Sequence, residues 1–170
     1  MLVNDKLPLK QECFGKFASY VMQDDILFEY FTPEQAFTFA ARLRLSCSVQ
    51  EQNERVQSLL LKLGLVHRKD TLIGSAMRKS LSGGEKKRTA IGVELISDPQ
   101  LVLLDEPTSG LDSFMAKSIC KILRNLARNE GKTIISTLHQ PSSEAYSYFD
   151  RLILMSDGNI VYQGPAVESP

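Results

Sequence analysis

The sequence predicts an α/β fold, because short apolar strands alternate with helical patterns along it. Three observations carry that expectation. Leu101–Leu104 is a continuous apolar run, the pattern of a central strand buried on both faces. A helix follows from about Ser113 to Asn129, with Asp112 as its N-cap and Gly131 as its C-cap. Thr133–Leu138 is then β-branched and short, which reads as the next buried strand. Strands separated by helices imply a largely parallel sheet, and ligands of such sheets bind off the carboxyl ends of the strands.

The elements upstream fit the same plan. Ser19–Met22 is apolar and stops at Gln23-Asp24-Asp25, as a strand running into a polar loop does. Thr32-Pro33-Glu34-Gln35 opens a helix: Thr32 is the N-cap, Pro33 suits the first turn and Gln35 closes a capping box. Ala36, Phe37, Phe39, Ala40 and Leu43 continue it at helical spacing. Ser48-Val49-Gln50-Glu51 is a second box, with Val56, Leu59, Leu60 and Leu63 on the buried side and Gly64 at the end. Arg68 to Lys79 shows no period and reads as loop. Ser82-Gly83-Gly84-Glu85 begins a third helix, expected to stop at Asp98-Pro99 because proline cannot continue it. Near the end, Arg151–Ser156 and Asn159–Tyr162 flank Asp157-Gly158, a two-residue hairpin signal.

Composition narrows the function classes. At 170 residues there is room for one compact domain, and 43% hydrophobic with 24% charged residues is ordinary for a folded one. Twenty basic residues balance twenty acidic ones, so no electrostatic footprint for nucleic acid follows. Cys13, Cys47 and Cys120 are scattered and form no CxxC pair, which reads as three reduced thiols. No apolar stretch approaches the roughly 18 residues of a membrane helix, and residues 1 to 10 lack the core of a signal peptide.

Two segments suggest chemistry. In Leu81-Ser82-Gly83-Gly84-Glu85, two glycines leave backbone N–H groups unshielded at a capped helix N-terminus, an arrangement that suits phosphate. Glycine costs about 1 kcal/mol inside a helix, so two of them need a reason. In Leu101-Val102-Leu103-Leu104-Asp105-Glu106-Pro107, a buried strand ends in two carboxylates. One carboxylate there can hold Mg²⁺, and its neighbour can orient and deprotonate a water. Taken singly, such residues are more often a capped helix, a solvated Asp-Glu turn and a structural histidine at 139.

Their order is more specific. A glutamine after a strand, then LSGGE, LVLLDEP, Ser109-Gly110-Leu111-Asp112 and a strand-ending His139 resemble the ABC ATPase series across essentially the whole chain. The resemblance implies a P-loop NTPase-like domain with ATP and Mg²⁺ as ligands. It makes Gln23 the Q-loop glutamine and a Mg²⁺ contact, and Leu81, Ser82, Gly83, Gly84 and Glu85 the signature motif. Asp105 becomes the Walker B aspartate on Mg²⁺, Glu106 the catalytic glutamate, Ser109, Gly110, Leu111 and Asp112 the D-loop, and His139 the switch histidine at the γ-phosphate. Residues 25–98 would include the helical subdomain with the signature, and residues 99–170 would run from Walker B to the final hairpin.

The wording around these motifs, Tyr20 to Asp25, DEPTSGLDS from Asp105 and LHQPS from Leu138, is similar to the G subfamily of half-transporters. That implies a second half-transporter as partner, a membrane region outside this chain and a place on the cytoplasmic side of a membrane. The basic run Lys86-Lys87-Arg88 reads as a solvated face with no nucleic-acid role. No G-x-x-x-x-G-K-[ST] phosphate loop occurs; Gly15-Lys16 fails because Lys10 precedes it and Phe17 follows. The expectation is therefore a domain incomplete at its N-terminus, its own carboxylates without a triphosphate to act on. Two other classes remain open: a non-catalytic cassette that lends its signature to a partner, and a soluble ABC ATPase. A tandem cassette or long coiled-coil insertion would favour the latter, and the sequence has neither.

Overall fold

The computed structural model describes Leu2–Val3, Leu7–Pro8, residues 17–74 and residues 80–169. Cys13 and the Gly15-Lys16 pair lie outside the described residues, as do residues 75–79 of the expected loop. Two short strands, β1 (Leu2–Val3) and β2 (Leu7–Pro8), pair antiparallel. The central sheet is parallel, in the order β3 (Ala18–Val21), β4 (Leu101–Leu104), β5 (Thr133–Ser136). The register places Val21, Leu104 and Ser136 side by side, so the three strands end together.

Between β3 and β4 run α1 (Pro33–Arg44), α2 (Val49–Lys62) and α3 (Gly83–Leu95). Thr32, Ser48 and Ser82 each cap one of these helices in a complete reciprocal box. Leu63 is the C-cap of α2, and Gly64 follows in the left-handed conformation, φ +64°. A 3₁₀ turn, Val66–Arg68, overlaps the start of the expected loop. Helix α3 ends at Leu95, earlier than Asp98-Pro99, because Asp98 has already turned to φ +56° ahead of the proline.

The connection from β4 to β5 is α4 (Ser113–Glu130), capped by Asp112 and closed by Gly131 at φ +66°. A single turn, α5 (Ser143–Tyr146), then leads to the hairpin β6 (Arg151–Ser156) and β7 (Asn159–Pro165). Asp157 and Gly158 both have positive φ, as the two-residue turn requires.

Phe37, Leu60, Leu63, Ile91, Val102 and Ile119 lie in one core shared by the three upstream helices, β4 and α4. Gly92 sits mid-helix for a packing reason: a Cβ there would overlap the Phe37 ring and lie 2.7 Å from Leu63 Cδ1. The buried strand expected at Thr133–Leu138 is corrected on two points. It stops at Ser136, and as the edge of the three-stranded sheet it alternates, with Thr133 and Ile135 exposed. Cys47 and Cys120 are free thiols, one exposed and one buried.

Candidate functional site

Because β3, β4 and β5 end in register, the residues just past them share one edge of the sheet. The ladder extends one step further, with Asp105 N donating to Val21 O (2.9 Å) and Thr137 N to Leu104 O (3.0 Å). Asp105 and Thr137 therefore meet side by side. Thr137 Oγ1 donates to Asp105 Oδ1 at 2.7 Å, and Tyr20 Oη donates to Asp105 Oδ2 at 3.0 Å. These two hydroxyls hold the Asp105 carboxyl below its ordinary range, Thr137 contributing more, and the same bond pushes the Tyr20 phenol up.

Glu106 follows at φ +40°, a left-handed conformation that is uncommon for a residue with a Cβ. Its N–H donates to Thr137 Oγ1 at 2.9 Å, while its Oε2 accepts from Gln23 Nε2 at 3.0 Å. One threonine hydroxyl thus touches both acidic residues. Among the described residues neither acid makes an ion pair, and no cluster of three or more His, Cys, Asp or Glu could hold a metal alone. The donor set suits a cation that brings its other ligands with it. Mg²⁺ is such a cation, commonly bound by one or two carboxylates plus phosphate oxygens and water.

Glu106 also faces a cleft of about 390 Å³ shared with Ser109, Gly110, Leu111, His139 and Gln140. His139 is exposed there. Ser109 N closes a turn on Glu106 O at 3.0 Å, and Gly110 takes φ +71°. Asp112 is occupied as a cap: its Oδ1 accepts from Met115 N at 2.8 Å.

The segment Leu81–Glu85 is built on the first turn of α3. Ser82 N donates to Glu85 Oε2 (2.8 Å) and Glu85 N to Ser82 Oγ (3.4 Å), which leaves the N–H groups of Gly83 and Gly84 outside the box. Glu85 is buried, which alone would raise its carboxyl, yet the bonds from Ser82 and from Arg68 Nε (3.2 Å) hold it lowered. Leu81 is buried with Ala36 and Ile73. The glycines have a second reason to be there. A Cβ on Gly84 would lie 3.0 Å from Met115 Sδ, and one on Gly83 would lie 3.3 Å from Leu111 Cδ2. The first turn of α3 thus lies against the start of α4.

Gln23, Asp105 and Glu106 therefore stand in one hydrogen-bonded cluster, and His139 and Ser109–Leu111 line the cleft beside Glu106. Ser82 and Glu85 bond each other and Arg68, and the segment approaches the cluster through Gly83 and Leu111. Sequence reasoning missed Tyr20 and Thr137; the register that sets Thr137 beside Asp105 is the signal that finds the latter. It also misread the basic run after Glu85. Lys87 is 3% exposed, not solvated; it donates to Gln23 O at 2.8 Å and forms an ion pair with Asp25, Nζ to Oδ1 2.7 Å. Lys86 and Arg88 are half-buried and reach the Gly74 and Gly84 carbonyls.

A further Gly-Lys pair, Gly131-Lys132 before Thr133, also escaped notice. Leu126 stands where a phosphate loop needs its first glycine. Lys132 is buried and bonds Asp98 Oδ1 (2.6 Å) and Pro99 O (3.0 Å) at the start of β5, the opposite end of the sheet from Asp105.

The family model described as ABC transporter matches residues 3–109. The chain belongs to the ABC transporter family. ABC transporter G family member 22 of Arabidopsis thaliana is 45% identical over 152 residues, which is 88% of this chain and 20% of that protein. The Broad substrate specificity ATP-binding cassette transporter ABCG2 of Mus musculus is 40% identical over 151 residues, 88% of this chain and 23% of that protein. The chain thus spans about a fifth to a quarter of these curated relatives, and the G-subfamily resemblance stands. The structure of cbiO1 from Clostridium perfringens, part of the ABC transporter complex cbiONQ, superposes with a TM-score of 0.77 at 31% identity. That match covers 89% of this chain and 58% of cbiO1. The ATP-binding cassette MJ0796, in a dimeric structure bound to ADP and Pi, has the same fold at a TM-score of 0.71 and 23% identity, over 89% and 64% of the two chains. The fold is that of an ABC ATPase domain, a family whose domains bind nucleotide. Among the described residues no helix is long and apolar enough to cross a membrane.

Proposed function

We propose that these residues form part of the ATP-hydrolysing engine of a G-type half-transporter. The observation that carries the reading is the Gln23–Glu106–Thr137–Asp105 cluster, two carboxylates fixed by neutral donors at the end of a parallel sheet. In this reading Asp105 and Gln23 hold Mg²⁺, which would offset charge on the phosphates of ATP. Glu106 takes a proton from the attacking water, with its backbone fixed by Thr137 and its carboxylate by Gln23. His139, which lines the cleft with Glu106, contacts the γ-phosphate in this reading. The free N–H groups of Gly83 and Gly84 serve the nucleotide of a facing second half-transporter, and Ser109–Asp112 lies beside that junction. Residues 25–98 and 99–170 act as the helical and strand-ending parts of one domain.

The reading also puts the domain against a membrane region on its cytoplasmic side, and an exposed aromatic cluster after Gln23 supports the association itself. Phe28, Phe31 and Phe39 meet tilted or edge to face with ring centroids within 6.1 Å of one another, and Ile26 and Tyr30 are exposed nearby.

Residues 1–170 carry no phosphate-loop motif, and phosphoryl-transfer catalysis is almost entirely positioning plus electrostatics, to which the amides and lysine of such a loop contribute. Residues 1–170 alone should therefore turn over no ATP. The test is a melting comparison in Mg-ATP. A folded-state ligand at a hundred times its Kd stabilises by about 2.7 kcal/mol, or roughly 5–11 °C at this size. The same residues extended upstream through a phosphate loop should shift by that order, and the full-length protein should release phosphate, while residues 1–170 alone should not shift. A saturable shift in the short chain, or no Mg-ATP turnover by the full-length protein, would overturn the reading.

A further inference from the structure

Lys87 is a buried charged side chain next to the candidate site that the chemistry above leaves unused. A lysine at 3% exposure gives up about 2 kcal/mol of side-chain entropy and the hydration of its ammonium, so its partners must be strong ones. Here they are the Asp25 carboxylate at 2.7 Å and the Gln23 carbonyl at 2.8 Å, both on the loop that follows β3. Lys87 itself stands one turn into α3, the helix whose first turn is Gly83, Gly84 and Glu85. Its neighbours do not share this reach. Lys86 bonds Gly74 O, and Arg88 bonds Gly84 O within its own helix.

Gln23 is therefore held from two sides. Its backbone is fixed to α3 by Lys87, and its side chain is bonded to Glu106 at 3.0 Å. Moving the Gln23 backbone therefore means either moving α3 or breaking the hydrogen bond from a buried lysine. The first turn of α3 in turn lies against Leu111 and Met115, so a shift of the helix is felt at the segment Ser109–Asp112.

We infer that Lys87 is a positioning residue that locks the Gln23–Asp25 loop to the Ser82–Glu85 turn, so that nucleotide contact at Gln23 is transmitted to the glycine N–H groups of α3. The inference rests on the ATPase reading for its nucleotide, but the lock itself does not. Lys87→Met keeps the apolar stem and removes the ammonium; Lys87→Arg keeps the charge.

The experiment is hydrogen–deuterium exchange on the full-length protein and both variants, with and without Mg-ATP, beside ATPase kinetics. In the wild type, Mg-ATP should slow exchange in both 22–27 and 82–86. In Lys87→Met, 22–27 should still respond while 82–86 does not, and kcat should fall roughly 2- to 30-fold with KM little changed, the range of a coupling residue. Lys87→Arg should restore both. Persistent ATP protection at 82–86 in Lys87→Met, with wild-type kcat, would overturn the inference. Should Lys87→Met fail to fold, the double variant Lys87→Met with Asp25→Leu removes both charges together, which often preserves stability. It must show the same loss at 82–86. If the wild type shows no response to Mg-ATP, the ATPase reading fails instead. The lock is then judged without nucleotide, where Lys87→Met must exchange faster than Lys87→Arg at 22–27, and equal rates would overturn it.

Discussion

The two ends of the central sheet use similar parts for opposite purposes. Each carries an acid in the left-handed region beside β4: Asp98 at φ +56° before the strand, Glu106 at φ +40° after it. Each is completed by a residue flanking β5, Lys132 before it and Thr137 after it. At the amino end, Asp98 is met by a buried ammonium at 2.6 Å and by Arg55 at 3.9 Å. At the carboxyl end, Asp105 and Glu106 meet only hydroxyls and an amide. The first end neutralises its charge within the chain and supports the fold. The second holds two carboxylates still without neutralising them, at a backbone cost of order 1–3 kcal/mol, and so leaves their charge uncompensated within the chain.

The sharpest way to break this contrast is Glu106→Gln in the full-length protein. The amide still accepts from Gln23, so the melting temperature should not change. Hydrolysis should fall roughly 10²–10⁴-fold, the worth of a general base, with ATP binding retained. A variant that melts early but hydrolyses normally would make the carboxyl end structural too.

The mirror test is at the amino end. Asp98→Ala leaves the Lys132 ammonium, its side chain 3% exposed, with only the Pro99 carbonyl as partner, and should cost about 3–5 kcal/mol in denaturant unfolding. Lys132→Met should cost less, about 1–3 kcal/mol, because Asp98 is half exposed and only the Pro99 carbonyl loses a buried donor. Turnover per folded molecule should stay at the wild-type value in both. Equal costs, or lost turnover in folded protein, would contradict the assignment.

Thr137→Val sits between these extremes. It removes the hydroxyl that bonds Asp105 and receives Glu106 N–H, at an exposed position. Turnover should drop by about tenfold, near the value of one hydrogen bond to a charged group, with Thr137→Ser close to wild type. Unfolding free energy should move by less than about 0.5 kcal/mol, as for other surface changes.

What could be read in advance follows the range of the interaction. The caps at Thr32, Ser48, Ser82 and Asp112 and the Asp157-Gly158 turn are contacts between residues two or three apart, and the local pattern contains both partners. The order of Gln23, Leu81–Glu85, Asp105-Glu106 and His139 marked the cluster by resemblance. What joins those residues was not legible, because Tyr20 reaches Asp105 across 85 positions and Lys87 reaches Gln23 across 64. A run of Lys-Lys-Arg has the same composition whether solvated or buried; only the packing of α3 on β3 decides it. The exposure of β5 was hidden for the same reason, since β-branched residues suit edge and centre alike.

The smallest expected effect is in acid, and it separates the two ends by the kind of partner each acid has. Asp98 is held below its ordinary range chiefly by the hydrogen bond from Lys132, with the charges of Lys132 and Arg55 adding to it against a desolvation that works the other way. Asp105 is lowered by Thr137 and Tyr20, which carry no charge. Both have folded values below the unfolded one of about 3.9. Stability from each is therefore fully present above that pH and is lost as pH falls through the folded value, where the unfolded chain binds the extra proton first. Asp98→Asn and Asp105→Asn each remove one such proton, and asparagine tolerates the left-handed backbone at 98. Melting temperatures measured from pH 6 to pH 3 should decline less steeply in both variants than in the wild type, and the flattening should be greater for Asp98→Asn, whose acid faces cations. An equal or greater flattening for Asp105→Asn would mean that the carboxyl end already holds a cationic partner, and the contrast between the two ends would not survive it.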